Sequence, residues 1–358
     1  MKIFNEKSEQ FLKRYLDNPS PSGFEKPGQK IWLEYISPYI DSHMVDNYGT
    51  VVGIINPEAK FKIVLEAHAD EIGWTVSYIS REGLIYVDKL GGSDVQVAPG
   101  SRVNILTRSG EIVSGVFGWP ATHIRPKDKN PMINNIFIDV GVLTKKRIDE
   151  MGIEIGDPIV FADGYQRLNE KRIVSRGLDN RIGGFMLAQV AKNLSNNRAK
   201  LPFGVYFVNS VQEEVGKNGA KMIAEQIKPN MAIVTDVTHD TSTPGISAKS
   251  KGDFKISRGP VITSAPPIHK KLLDIIKEVA DDNEIKYQNK TCSKITGTDA
   301  DMFAYSNGGT PTALVSLPIR YMHQPSEMAS TQDIEKLISL LTKTLEEIDP
   351  EIKFNSLD

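Results

Sequence analysis

The chain has 358 residues, of which 40% are hydrophobic and 25% are charged, so it has enough apolar material for a sizeable core. Its net charge of −2 lacks the basic excess that is typical of nucleic-acid binders. The N-terminal residues soon become charged, and no apolar run is long enough to span a bilayer. A single cysteine, Cys292, permits no intrachain disulfide. We therefore expect a cytoplasmic protein without a nucleic-acid or membrane partner.

The predicted elements before residue 72 combine helices with short strands. Apolar residues at helical spacing predict helices at about 8–16 and 26–37, separated by a break rich in proline and glycine. Short β-branched runs at 50–55 and 61–65 predict strands. The beginning of the chain is therefore predicted to be α/β in character.

The stretch at 72–164 has a different texture. Strand-sized runs such as 74–79 and 102–106 alternate with glycine, aspartate and proline turns, and helical periodicity is scarce. This pattern predicts a small all-β, barrel-like domain. Because α/β elements resume after it, we expect it to interrupt one α/β domain made of residues 1–71 and 165–358.

Helices and strands alternate again in the second half of the chain. Helices are predicted after Asp179 and at about 220–227, 270–281 and 331–348, and strands at 203–208, 231–235 and 312–317. Such alternation is typical of a mixed or largely parallel sheet with helices on both faces. The predicted fold class is therefore α/β, with a barrel-like insertion.

Acidic and imidazole side chains follow several of the predicted strands. They are His68, the pair Glu213–Glu214, Asp236 and His323, and Asp179 lies at a predicted helix start. In open α/β sheets, sites form at the carboxyl ends of the strands. We therefore expect four strands to deliver these side chains to one crevice.

This mixture of residue types points to metal chemistry. Imidazole and carboxylate ligands together suit zinc, cobalt or manganese better than calcium or magnesium. Two ions about 3.5–4 Å apart stabilise a hydrolytic transition state from both sides. Such a pair needs one bridging carboxylate and separate ligands for each ion. The adjacent Glu213 and Glu214 can divide two roles, with one residue binding metal and the other moving a proton.

Each candidate also has an ordinary structural explanation when it is taken alone. A lone histidine after a strand is more often a hydrogen-bonded structural residue than a ligand. Asp179 can cap its helix, Asp236 can cap a turn, and Glu213–Glu214 can be a solvated pair or a favourable charge at a helix N-terminus. Residue types and spacing alone therefore favour a metal site without deciding it.

Five segments, in this order, resemble motifs of the M42 family of metallo-aminopeptidases, which includes glutamyl and deblocking aminopeptidases and the tetrahedral TET peptidases. They are 67–73 (AHADEIG), 178–183 (LDNRIG), 212–216 (QEEVG), 235–239 (TDVTH) and 320–323 (RYMH). Each motif is weak alone, but the ordered set is specific. The resemblance implies an enzyme that removes N-terminal residues from peptides by hydrolysis with two divalent ions, zinc or cobalt, with manganese as a further possibility.

The resemblance also implies a ligand set. Asp179 corresponds to the carboxylate that bridges the two ions. His68 and Asp236 correspond to the other ligands of one ion, and Glu214 and His323 to those of the second.

Two further roles and an assembly follow from the same resemblance. Glu213 corresponds to the general base, and Asp70 to the aspartate that orients the imidazole of His68. The insertion at 72–164 resembles the family's dimerisation domain. Family members commonly form dimers that assemble into tetrahedral dodecamers with an inner chamber, which admits peptides and excludes folded proteins.

Several alternatives stay open at this point. A glycosidase would need two carboxylates without metals, which fits the mixed ligand pattern poorly. A dipeptidase or deacylase on the same fold would use the same ions. A non-enzymatic scaffold would be expected to have lost a ligand or the base, and all seven positions are present. The preferred N-terminal residue is also open, although Arg320, Lys249 and Lys251 are cations that would favour acidic side chains.

Overall fold

A computed structural model describes residues 3–125, 130–196 and 201–355 of the chain. Its helices are α1 (Glu6–Asp17), α2 (Lys26–Ile36), α3 (Lys145–Glu150), α4 (Leu178–Leu194), α5 (Asn218–Ile227), α6 (Ala248–Lys251), α7 (Lys270–Asp282), α8 (Ala300–Ala304) and α9 (Thr331–Glu347), with a 3-10 turn at Ser37–Tyr39. Its strands are β1 (Ser42–Val45), β2 (Val51–Ile55), β3 (Lys62–His68), β4 (Gly73–Ile79), β5 (Leu84–Leu90), β6 (Arg102–Leu106), β7 (Ile112–Gly118), β8 (Phe137–Asp139), β9 (Pro158–Phe161), β10 (Gln166–Asn169), β11 (Arg172–Ser175), β12 (Gly204–Ser210), β13 (Met231–His239), β14 (Val261–Ser264), β15 (Gln288–Thr291), β16 (Thr312–Arg320) and β17 (Glu327–Ser330).

Apolar faces pack the helices against the rest of the fold, and local caps stabilise the helix ends. In α7, the buried positions Leu272, Ile276 and Val279 recur at the spacing of one helix face. At the start of α1, the Asn5 side chain accepts a hydrogen bond from the Ser8 backbone N–H, and the Ser8 hydroxyl accepts one from the Asn5 N–H. This reciprocal pair satisfies two donors that would otherwise lack partners at the helix end.

One 11-stranded mixed sheet forms the larger part of the molecule, in the order β1-β2-β12-β3-β13-β16-β17-β11-β10, with β14 and β15 attached beside β16. Its central strands β12, β3, β13 and β16 are neighbours and run parallel to one another. All seven residues of β12 are buried, as expected when both faces of a sheet are covered. The predicted α/β fold with a mixed sheet is thereby confirmed.

The helices that cover the sheet form two separate groups. Helices α4 and α9 pack on each other and against β3, β13 and β16, while α5 and α8 pack together against β12, β13 and β16. Because β3, β12, β13 and β16 are parallel, their carboxyl ends all meet at one edge of this layered arrangement. That edge is where the sequence analysis predicts a site.

The remaining strands close into a barrel in the order β4-β5-β8-β7-β6-β9, which confirms the predicted barrel-like insertion. Its interior is centred on Trp74, whose ring meets Phe117 at 4.8 Å and Phe161 at 4.6 Å between centroids, both edge to face. Closure leaves the barrel without a free edge. The predicted domain boundaries at residues 72 and 164 stay a prediction.

The sheet departs from the sequence prediction in two respects. Strand β13 continues to His239, so Asp236 lies inside the strand and not after it. The short strands β1, β10, β11, β14, β15 and β17 were not predicted; β15, for example, is polar and half exposed and carries no alternating apolar pattern. None of the helices in the described ranges combines the length and the apolar character that crossing a bilayer requires.

Replacing the barrel's central ring tests this packing. Trp74→Ala is expected to lower the free energy of unfolding by about 3–5 kcal/mol, because a fully buried ring leaves a cavity. Urea unfolding followed by circular dichroism measures the loss. As a control, Tyr78→Ala on the same strand removes a side chain that is 56% exposed and should cost about 0.5 kcal/mol. Equal losses for both variants would contradict the packing described for the barrel.

Candidate metal centre

The parallel strands bring the predicted site residues to one crevice. His68 is the last residue of β3, and Asp236 lies near the end of β13. Glu213 and Glu214 follow β12 in a tight loop, and His323 follows β16 in another. Asp179 lies in the first turn of α4, and its peptide bond to Asn180 is cis.

A first group of donor atoms is formed by His68, Asp179 and Asp236. The His68 Nε2 atom lies 3.3 Å from Asp179 Oδ1 and 3.9 Å from Asp236 Oδ1. All three side chains are buried, and their donor atoms lie within 4.8 Å of one another. One imidazole and two carboxylates at this spacing are a donor set that suits a single transition-metal ion.

A second group is formed by Asp179, Glu214 and His323. The His323 Nε2 atom lies 3.2 Å from Asp179 Oδ2 and 3.3 Å from Glu214 Oε1. The two groups therefore share Asp179, whose two carboxylate oxygens face different imidazoles. A carboxylate in this position is able to bridge two ions.

Asp70 connects the first group to the loop that follows β12. Its carboxylate accepts hydrogen bonds from the backbone N–H groups of Glu213 at 3.0 Å and Glu214 at 3.1 Å. The same carboxylate lies 3.3 Å from His68 Nδ1 and accepts a hydrogen bond from the Ser22 hydroxyl. Asp70 thus contacts the imidazole of one candidate ligand and the backbone of another.

Glu327 has the corresponding position for the second group. One of its oxygens accepts the backbone N–H of Asp179 at 2.9 Å, and the other accepts that of His323 at 2.7 Å. His323 is in the left-handed region, with φ of 62°, a conformation that costs a non-glycine residue about 1–2 kcal/mol. The buried Glu327 carboxylate therefore holds an unfavourable backbone conformation in place.

Glu327 is not among the site residues predicted from the sequence. It is four residues beyond His323, at the start of a strand that was not predicted. Its only indication in the sequence is the proximity of a carboxylate to the 320–323 motif.

A glycine turn of the barrel touches the second group. The Gly92 carbonyl oxygen lies 3.2 Å from His323 Nδ1, which fixes the ring so that Nε2 faces Asp179. A Cβ atom added at Gly92 would come within 2.5 Å of that Nδ1. Only glycine therefore allows this close approach, and the insertion takes part in orienting His323.

Burial and mutual repulsion govern the ionisation of the carboxylates. Burial, with the negative charges of Asp299, Glu214 and Asp179, raises the pKa of Glu213 to about 8. Burial and the charge of Asp179 raise the pKa of Asp236 well above its usual value. Burial and neighbouring negative charges therefore both disfavour the ionised form of these two carboxyl groups.

The pKa values of the two imidazoles are also raised, which favours the charged form of a histidine. Burial by itself lowers the pKa of His323, but hydrogen bonds to Asp179 and Glu214 raise it to about 11. The same competition raises the pKa of His68 well above its usual value, because Asp179 and Asp70 outweigh burial. The field of this crevice therefore favours positive charge at the positions between the carboxylates.

A buried carboxyl pair lies directly behind the first group. The Ser210 hydroxyl is 2.6 Å from Glu66 Oε1 and 2.9 Å from Asp299 Oδ2, and both carboxyl groups are buried. Burial raises the pKa of Glu66 to about 7, and burial together with the negative charge of Glu66 raises that of Asp299 well above its usual value. Neither residue belongs to the two donor groups, but the charge of Asp299 contributes to the raised pKa of Glu213.

A cavity of about 280 Å³ opens beside both groups. Its lining consists of His68, Asp179, Glu213, Glu214, Asp236, Val237, Thr238, His239, Lys290, Thr296, Gly297, Thr298, Met322 and His323. A volume of this size suits one amino-acid side chain beside the donor groups, and not a long segment of peptide.

Comparisons with known proteins identify the family to which the chain is similar. A sequence model described as M42 glutamyl aminopeptidase matches residues 49–340. The lysyl aminopeptidase of Pyrococcus furiosus is 32% identical over 95% of this chain and 97% of its own length. A TET aminopeptidase from the marine sediment archaeon Thaumarchaeota archaeon SCGC AB-539-E09 superposes with a TM-score of 0.91 at 30% identity, covering 96% of this chain and 97% of that one. The TET1 peptidase of Pyrococcus horikoshii, which can assemble into a tetrahedron or a large octahedral shell, gives a TM-score of 0.83 at 28% identity, over 95% of this chain and 100% of that one.

The chain therefore belongs to the M42 glutamyl aminopeptidase family. It is an enzyme of the aminopeptidase class, as its relatives and structural neighbours are. The function predicted from the sequence is confirmed at this level.

The hydrogen bonds of Glu327 give a sharp test of how the crevice is held. Glu327→Gln keeps the size of the side chain but replaces one accepting oxygen with an NH₂ group, which then opposes a backbone N–H. Aminopeptidase activity is expected to fall by about 10- to 100-fold. Glu278→Gln, an exposed residue of α7, is the matched control and should leave activity unchanged. Full activity of Glu327→Gln would mean that these two hydrogen bonds do not position the site.

Proposed function

We propose that the chain is a metal-dependent aminopeptidase that holds two divalent ions and removes N-terminal residues from peptides. His68, Asp179 and Asp236 hold one ion, and Asp179, Glu214 and His323 hold the other. The observation that supports this most strongly is the division of Asp179, whose Oδ1 faces His68 at 3.3 Å and whose Oδ2 faces His323 at 3.2 Å.

The donor chemistry fits divalent transition metals. Each group combines one imidazole nitrogen with two carboxylates, a mixture that suits zinc, cobalt or manganese. The raised pKa values of His68 and His323 are consistent with this, since they show that the crevice favours cations. A hard-ion site for calcium would instead need six to eight oxygen ligands.

Divalent ions at such a site polarise a peptide carbonyl and acidify a bound water. The Glu213 carboxylate lies 4.0 Å from His68 Nε2, at the edge of the first group. From this place it takes the proton of the attacking water and delivers it to the leaving amine. Burial and its neighbours place its pKa near 8, and nearby cations would lower that value toward the range of an effective base.

Asp70 acts on the reaction through other residues. It orients the His68 ring from Nδ1 and holds the loop that carries Glu213 and Glu214. In this proposal Asp70 touches neither ion nor substrate. Its removal would displace a ligand and the base together.

We further propose that the chain forms a homo-oligomer, built from dimers and extending to a dodecamer. The similar TET1 peptidase of Pyrococcus horikoshii can assemble into a tetrahedron or a large octahedral shell. The barrel exposes several large apolar side chains, namely Tyr78, Ile112, Val116, Leu143 and Ile155. Exposed apolar side chains such as these are consistent with a contact surface. A cytoplasmic location is also proposed, since the single Cys292 is compatible with a reducing compartment.

A panel of aminoacyl-p-nitroanilides tests the proposal. Activity should disappear after chelation and return when cobalt or zinc is added, since the ligands remain in place. A two-carboxylate glycosidase would survive chelation and would not cleave these substrates. Metal-restored protein that cleaves none of them, but cleaves dipeptides or acylated amines, would favour a dipeptidase or deacylase on the same fold.

Glu213→Gln tests the proposed division of labour between the adjacent glutamates. It should lower kcat by about 10²- to 10⁴-fold without reducing bound metal, because it removes the proton acceptor alone. Glu214→Gln is the paired comparison and should reduce bound metal as well as activity. Metal loss from Glu213→Gln with metal retained in Glu214→Gln would show that the roles are reversed.

A further inference from the structure

We propose that Lys290 selects substrates whose N-terminal residue has an acidic side chain, glutamate or aspartate. This inference rests on the proposed function, since it assigns the cavity beside the donor groups to the side chain of that residue. The relatives do not decide which N-terminal residue this chain prefers. The family description names a glutamyl enzyme, whereas a similar protein is a lysyl aminopeptidase.

Two chemically different sets of residues line the cavity. The carboxylates that line it belong to the donor groups or, in Glu213, to the base beside them. The rest of the lining has no acidic residue and consists of Val237, Thr238, His239, Lys290, Thr296, Gly297, Thr298 and Met322. Hydroxyl groups, the His239 imidazole and one ammonium group therefore line the cavity together with the donor groups.

Lys290 lies on β15, the strand that pairs with β14 at the margin of the sheet. Its half-buried side chain reaches across to β13, where Nζ donates a hydrogen bond to the Thr238 hydroxyl at 3.0 Å. Within the described ranges, Lys290 makes no direct ion pair with a carboxylate. The carboxylates that line the same cavity are those that the proposed function assigns to the two ions and to the base. An ammonium group has three donors, and a substrate carboxylate would satisfy those that Thr238 leaves.

The spacing of β13 sets the distance between this ammonium and the donor groups. Asp236 and Thr238 are two residues apart on one strand, so their side chains point to the same face. The rise of a strand separates them by roughly 6.6 Å. A substrate whose amine and carbonyl lie at the donor groups would therefore extend an acidic side chain of ordinary length toward Lys290.

The cations that the sequence suggested for this role lie elsewhere. Arg320 is paired with Asp240, with Nε 2.9 Å from Oδ2, and also donates to the Ser242 hydroxyl at 2.9 Å. Lys249 and Lys251 are exposed on the short helix α6. None of these three residues lines the cavity, whereas Lys290 does.

A charged hydrogen bond in a partly buried pocket contributes enough binding free energy to determine which N-terminal side chain is preferred. Pairing a substrate carboxylate with Lys290 corresponds to about 10- to 100-fold in kcat/KM over a neutral side chain of the same shape. An N-terminal lysine would instead meet a like charge and be disfavoured.

The test compares glutamyl-, glutaminyl-, leucyl- and lysyl-p-nitroanilide with the metal-restored full chain. These substrates have no C-terminal carboxylate, so any effect of negative charge comes from the side chain. Wild-type protein should prefer glutamyl to glutaminyl substrate by at least about tenfold in kcat/KM. In Lys290→Met this ratio should fall close to one, while leucyl and glutaminyl rates stay within about twofold. Lys249→Met, which removes an exposed charge outside the cavity, should keep the wild-type ratio.

Three results would overturn the inference. A wild-type enzyme that cleaves leucyl or lysyl substrates well and glutamyl substrate no better than glutaminyl would sink it and leave the proposed function standing. So would a Lys290→Met variant that is folded by circular dichroism and keeps the wild-type ratio, or slows all four substrates equally; Lys290→Gln serves if the methionine variant does not fold. Cleavage of none of the four substrates would remove the proposed function, and this inference with it.

Discussion

Four carboxylates confined in one crevice are the central electrostatic constraint of this structure. Asp179, Glu213, Glu214 and Asp236 meet at the carboxyl edge of the sheet, where water is largely excluded. Like charges at this spacing repel strongly in a medium of low dielectric constant. Two imidazoles between them supply positive charge only when protonated, which is why their pKa values are raised. Divalent ions bound by the same side chains would meet this requirement more completely, and the rest of the fold serves to hold the donors in place.

The supporting hydrogen bonds are themselves made by carboxylates, and each carboxylate joins two separate parts of the fold. Asp70 joins the end of β3 to the loop after β12, and Glu327 joins the start of α4 to the loop after β16. Each uses both of its oxygens on backbone N–H groups or on an imidazole. The loops that they hold contain left-handed residues, including Gln212 and His323. Such conformations persist only where the surroundings determine them, and the barrel contributes through the close approach of Gly92.

Much of this arrangement could be predicted from the sequence because it depends on local patterns. Apolar periodicity located most of the helices and the central strands, and the rule for parallel strand ends placed His68 and His323 at one edge. Asp236 was expected after its strand and lies inside it, because β13 extends four residues beyond the strand predicted at 231–235. The end of β13 is also buried as far as Thr238, but Thr235, Asp236 and Thr238 are polar, so the apolar run stops before the strand does.

The residues that could not be predicted act through long-range contacts. Lys290 lies on a short polar strand with no apolar alternation, and its approach to Thr238 joins positions 52 residues apart. Glu327 is identified only by the two backbone groups that it accepts, one of them 148 residues away. Neither contact leaves a periodic trace in the sequence. The cations suggested by the sequence were Arg320, Lys249 and Lys251, which do not line the cavity. The charge of a residue alone does not tell whether its side chain reaches a cavity.

The most direct test of the central claim is to count the metal bound per chain after reconstitution and removal of excess ion. The account predicts about two ions for the wild-type chain, about one for His68→Ala and for His323→Ala, and almost none for Asp179→Ala, because a bridging carboxylate serves both positions. Retention of the wild-type content by Asp179→Ala, or loss of both ions from either histidine variant alone, would contradict two adjacent positions that share Asp179.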